Sequence, residues 1–198
     1  MTAKLSSQPG RQQFNGRKAM KIRRVVTGKN AAGKSVLVSD GPSPRERVLQ
    51  HVPGFVCSPL WLLGAAPVLN QPPQETMRGV GSLIAPPGGG CFLVITFPPD
   101  SVMQAPDFNP GLAFPEHAAA APGIAETFEP DNPGMHQTPT LDYVTVISGE
   151  IVLELDDGVT VTLRQGDTVV QHGARHAWRN PGTAPAVISV VMLGARKT

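Results

Sequence analysis

The chain has 198 residues, of which 40% are apolar and 16% charged, with a formal net charge of +2. That length suits one domain with a substantial core, and no apolar run approaches the roughly 18 to 20 residues that span a bilayer, so no membrane partner is expected. The charge is unevenly divided: residues 1–39 hold nine Lys or Arg and no acid, whereas residues 40–198 hold eight basic and fifteen acidic side chains. The acidic part carries no basic face with aromatic or motif support, which argues against nucleic acid as a partner.

Residues 1–20 read as a basic tail, rich in Ser, Gln and Arg. An organelle-targeting segment is the alternative, although Pro9, Gly10 and Gly16 spoil its helical amphipathicity. Residues 21–133 are expected to supply N-terminal strands and loops that pack on a barrel. Residues 22–27 and 35–39 form strands around the turn 29–33, and Asp40-Gly41-Pro42 stops the second. Residues 59–63 and 91–97 are further short apolar runs that extend the sheets or cover an edge. Cys57 and Cys91 are too few for a disulfide framework and read as buried free thiols in a reducing, cytoplasmic compartment. Residues 100–133, rich in Pro, Ala and acids, show no periodicity. They read as a loop or lid at the barrel mouth, with Glu116, His117, Glu126 and Glu129 as solvated loop charges.

Residues 134–195 carry the clearest signal. Segments 143–147, 151–155, 159–163, 168–171 and 186–192 are rich in Val, Ile, Leu and Thr at strand lengths. Between them stand Ser148-Gly149, Asp156-Asp157-Gly158, Gln165-Gly166-Asp167, His172-Gly173 and Asn180-Pro181-Gly182, residues suited to tight turns. Helix-period patterning is absent, so the expected fold is all-β, an antiparallel barrel or sandwich.

Side chains alternate along a strand, so His136, Thr138 and Asp142 share a parity with Val144 and Val146. His176 and Trp178 share one face of their own segment, and Arg175 and Arg179 fall on the other, facing solvent or a partner subunit. An inward Asp and two inward His would make a two-His, one-carboxylate set suited to a divalent metal. The other reading is that these groups bond only to the barrel's own backbone.

His136, Thr138, Asp142 and Gly149, followed by Gly166-Asp167, His176 and Asn180, resemble the two motifs of the cupin superfamily. The spacing of the first motif is kept, while Thr138 stands at its second His and Asp142 at its Glu. The resemblance implies a jelly-roll (double-stranded β-helix) barrel and, more narrowly, similarity to small single-domain cupin oxidoreductases of bacterial and fungal gene sets. It also implies that translation could open at Met20, where the run Met20 to Gly28 looks like the start of related small cupins.

What the resemblance implies for the site is a divalent ion (iron, manganese, nickel or zinc) held by His136, Asp142 and His176. Asp142 and His176 would be catalytic, and Thr138 and Trp178 would contact the substrate. Asp142, one methylene shorter than Glu, would either ligate or orient a ligating imidazole. Trp178 would stack on substrate or pack in the core, and His172, in a turn where many cupins have proline, is a further candidate ligand. The implied activity is a dioxygenase-like oxidoreductase acting on a small aromatic or polyketide-like metabolite. A decarboxylase, dehydratase or isomerase using the same pocket and a non-catalytic ligand-binding cupin are the alternatives, and a homodimer is compatible with each.

Overall fold

The computed structural model describes residues 20–69 and 73–196; the expected basic tail lies almost wholly outside them. In chain order the strands are β1 (Arg24–Lys29), β2 (Ser35–Gly41), β3 (Arg47–Val48), β4 (Val56–Leu63), β5 (Gly90–Phe97), β6 (Thr140–Ser148), β7 (Glu150–Glu154), β8 (Thr160–Arg164), β9 (Thr168–His172), β10 (Ala177–Arg179) and β11 (Ala186–Gly194), with one α-helix, α1 (Pro110–Ala120), after β5. β1 and β2 form a hairpin, closed where the Asn30 side chain accepts the N–H groups of Ala32 and Lys34. The remaining strands form a six-stranded sheet, in the order β3-β4-β5-β11-β6-β9, and a three-stranded sheet, β10-β7-β8. All pairings are antiparallel.

The alternation seen in the sequence explains how these sheets pack. Val144 and Val146 of β6, Ile188, Val190 and Met192 of β11 and Cys91 and Leu93 of β5 meet Ile151 and Leu153 of β7 and Leu163 of β8 in one core. Burying such branched side chains contributes roughly 1.5–3 kcal/mol each, which fixes the register, because a one-residue slip would turn the whole set to solvent. The result is an all-β jelly-roll barrel. Pro59 has no N–H for the ladder, and the register between β4 and β5 shifts beside it, between Pro59 and Trp61.

The segment 100–133 differs from its expected loop character, because it contains α1. Pro110 opens this helix, where a missing N–H costs nothing, while Pro115 lies inside it and only Ala113 and Ala120 are buried. A proline mid-helix and small buried residues leave no apolar period to read. Glu116 on α1 is no free loop charge: its carboxylate accepts the N–H groups of Gln50 at 2.7 Å and His51 at 2.8 Å. Glu126 likewise accepts the N–H of Gly123 at 2.6 Å.

Asn180 ties the end of β10 to the six-stranded sheet. Only 1% exposed, it donates to the carbonyls of Phe97 at 3.1 Å and Ala184 at 2.9 Å and accepts from the N–H of Gly182. Asn180→Ala strands these buried groups, and the expected loss is about 2–3 kcal/mol, read as a lower urea midpoint. A change under half a kcal/mol would show that water reaches this corner.

Candidate functional site

Two histidines face each other across the mouth of the barrel. His136, four residues before β6, and His176, just before β10, form a β-bridge in which each N–H donates to the other's carbonyl at 2.9 Å. Residues opposed in this way send their side chains to the same face, and the two imidazoles stand 4.4 Å apart between ring centroids. Nδ1 of His136 lies 3.0 Å from the Gly134 carbonyl and Nδ1 of His176 lies 3.0 Å from the Ala174 carbonyl. A carbonyl only accepts, so each Nδ1 carries the proton and each Nε2 keeps its lone pair.

Burial holds both imidazoles neutral. The pKa of His176 falls to about 4, by burial first and by the charge of His136 second, against the Ala174 carbonyl. That of His136 is also lowered by burial, with the Gly134 carbonyl and Glu129 opposing.

His136, Thr138, Thr140 and Asp142 are all buried, as the shared parity requires. The hydroxyls of Thr138 and Thr140 are hydrogen-bonded at 2.7 Å. Asp142, 5% exposed, sits on β6 opposite Met192 and Gln171, and its Oδ1 has no hydrogen-bond partner. Burial raises its pKa to about 6, with the Thr140 hydroxyl pulling the other way.

The structure brings His136 and His176 together and leaves Asp142 apart from them. Among the described residues no three His, Cys, Asp or Glu side chains are grouped closely enough to hold a metal ion. Trp178 meets His176 edge-on at 5.8 Å and also packs on the core. His172 is exposed at the end of β9, on the face opposite buried Gln171. Cys57 and Cys91 are free and buried, and burial pushes both thiols up to about 12, where they are inert.

Three groups near the pair have partners that the sequence did not indicate. His117 of α1 is not a solvated loop charge: its ring lies between Phe55 at 4.7 Å and Phe128 at 5.1 Å, and Phe128 lies 5.0 Å from His136. Burial and the nearby His136 lower the pKa of His117 to about 4. Arg175 and Arg179 do not run free into solvent. Arg175 binds Glu129 and Asp156, and Arg179 binds Glu154, the Pro133 carbonyl and Asn132. Each of these partners is remote in sequence, so motif spacing carries no sign of them.

Residues 125–192 match the family model described as a cupin domain. The chain is 36% identical over 83 residues to an oryzines biosynthesis cluster protein of Aspergillus oryzae, covering 41% of this chain and 42% of that protein. It is 27% identical over 187 residues to a cupin-domain-containing oxidoreductase of Hypocrea virens, covering 87% of this chain and 76% of that one. The chain thus spans under half the length of the first of these relatives. Among solved structures, the cupin domain of an XRE-family transcriptional regulator from Enterobacter cloacae aligns over 72% of this chain and 99% of its own, at 18% identity and a TM-score of 0.38. Residues 125–192, which match the cupin-domain model, supply β6 to β10 and nearly all of β11 in the two antiparallel sheets, and both histidines of the pair.

Proposed function

We propose that the chain is a small-molecule cupin enzyme, an oxidoreductase of the kind its Hypocrea virens relative is named for, acting on a small aromatic or polyketide-like metabolite beside His136 and His176. The observation that carries this reading is the imidazole pair: buried, neutral, and with both Nε2 lone pairs preset by backbone carbonyls acting on Nδ1. The donor set fits a divalent ion through its two nitrogens, and the unpartnered Oδ1 of Asp142 is the carboxylate of the set, although as placed it stands outside the pair. Such an ion, when bound by Nε2 of His136 and His176, supplies Lewis-acid or redox activation.

The chain's own residues do the rest. Phe128 and Trp178 flank the imidazoles and exclude water from one side of each, which strengthens every charge interaction there. The two carbonyls keep the rings from turning. Metal content of the purified protein, by mass spectrometry beside His136→Ala and His176→Ala, tests the reading. Near-stoichiometric metal lost in both variants is expected; a metal-free protein after reconstitution, with both variants folded, would sink it.

A second reading has its own support. Asp142, with a pKa near 6, can hold or release a proton at working pH, which suits a lyase or isomerase that uses it as general acid or base.

A further inference from the structure

Phe128 packs its ring against the imidazole of His136. It separates the imidazole of His117 from the pair, 5.1 Å from one and 5.0 Å from His136. His136 and His176 are only 8% and 3% exposed. Access to Nε2 therefore calls for something to move, and the chain around Phe128 is built as a strap.

Phe128 ends the short turn Ala125–Thr127 and leads into residues 129–134. Two arginines fasten this strap to the barrel from the far face of the His176 segment. Arg175 grips Glu129 with two bonds, at 2.6 and 2.5 Å, and Asp156 with a third at 2.7 Å. Arg179 reaches Glu154 at 2.6 Å, the Pro133 carbonyl at 2.6 Å and Asn132 at 3.1 Å. The Arg175 and Glu129 side chains are 33% and 38% exposed, and ion pairs wetted to that degree hold a segment without locking it. The strap ends at Gly134, in the left-handed region at a φ of 85°, whose carbonyl orients His136. Fastening the strap and setting the imidazole are thus one arrangement.

We propose that Phe128 is the access- and specificity-determining residue of this site. With the strap fastened it fills a ring-sized space beside His136; with the Arg175 and Arg179 contacts open it yields that space to a flat aromatic ring. The substrate class rests on the enzyme reading proposed above, whereas the closure does not. The space is lined by imidazole and phenyl faces and edges, which favour another aromatic ring over an aliphatic chain.

The test is the rate at which diethyl pyrocarbonate modifies His136 and His176 in the full chain at neutral pH, mapped by peptide mass spectrometry. Phe128→Ala and Arg175→Gln are each expected to raise it at least about fivefold over the native chain, as local opening of a capping segment does. Arg164→Gln, which breaks an exposed pair with Glu150 elsewhere on the barrel, should leave it unchanged. Millimolar phenol should slow the reaction of His136 in Phe128→Ala, and millimolar hexanol should not. Equal rates in the native chain, Phe128→Ala and Arg175→Gln, each shown folded by circular dichroism, would overturn the closure. Equal protection by phenol and hexanol would overturn the aromatic preference. An ion on Nε2 would itself block the reagent, so all variants are compared after treatment with a chelator; the readouts then depend on neither metal nor turnover, and an inactive protein still reports on the strap.

Discussion

Lowering the pH from 6.5 to 4 should remove about 6 kcal/mol of stability through His117 and His176 alone. The folded pKa of each is depressed to about 4 from an ordinary 6.5. Below pH 6.5 the unfolded chain takes up protons that the folded chain refuses, so stability falls as the pH falls. The loss is complete only below about pH 4, and above 6.5 these groups contribute no pH dependence. Each imidazole is responsible for about 3 kcal/mol, and His136, lowered in the same direction, adds to the loss.

Asp142 opposes the histidines, because its folded pKa is raised to about 6, but one carboxyl cannot offset three imidazoles. With about 3 kcal/mol returned by Asp142, the net loss is about 3 kcal/mol plus the share of His136, a large fraction of the 5–15 kcal/mol typical of a domain. Urea unfolding followed by tryptophan fluorescence at pH 7.5, 5.5 and 4.5 measures it. His117→Phe, which keeps a ring between Phe55 and Phe128, should recover about 3 kcal/mol at pH 4.5. A midpoint independent of pH in the native chain would show that these imidazoles are hydrated and protonate freely.

The barrel was legible in the sequence because its strands obey a local rule. Val144, Val146, Val190 and Met192 alternate with exposed or half-buried neighbours, and glycines with positive φ such as Gly149 and Gly166 mark the turns. The helix was not legible, since Pro115 interrupts it and tertiary contacts through Glu116 hold it in place. At the site, motif spacing put His136, Thr138 and Asp142 on one buried face. It could not reveal whether six residues of chain bring carboxylate and imidazole together. Among the described residues Asp142 is not grouped with the two histidines, and the hydroxyls of Thr138 and Thr140, on the same face between His136 and Asp142, bond to each other. Parity also set Arg175 and Arg179 opposite His176, yet their partners Glu129 and Asn132 come from a strap some 46 residues away in sequence. Side-chain direction is a local property, and side-chain company is not.

Asp142→Asn should make the folded chain more stable at pH 8 by up to about 3 kcal/mol and leave it nearly unchanged at pH 4. The Asp142 pKa rises from 3.8 to about 6, chiefly by burial. Above pH 6 both states are ionised and the folded state bears the whole cost of a buried carboxylate. Below about pH 3.8 both are protonated and that cost is gone. Asparagine is neutral throughout and nearly the same size, so its advantage exists only above pH 6, less whatever its amide loses by finding no acceptor. Urea midpoints of the two proteins at pH 8 and pH 4 decide the matter, and an equal difference at both would show that Asp142 titrates normally. Stability gained by neutralising a buried charge is a mark of a group kept for function, and turnover should collapse in the same variant. Its metal content then separates the two chemistries. Retained metal with lost turnover makes the carboxyl a proton carrier beside an imidazole-held ion. Lost metal would mean that, with the ion bound, β6 shifts enough to bring Asp142 to His136 and His176.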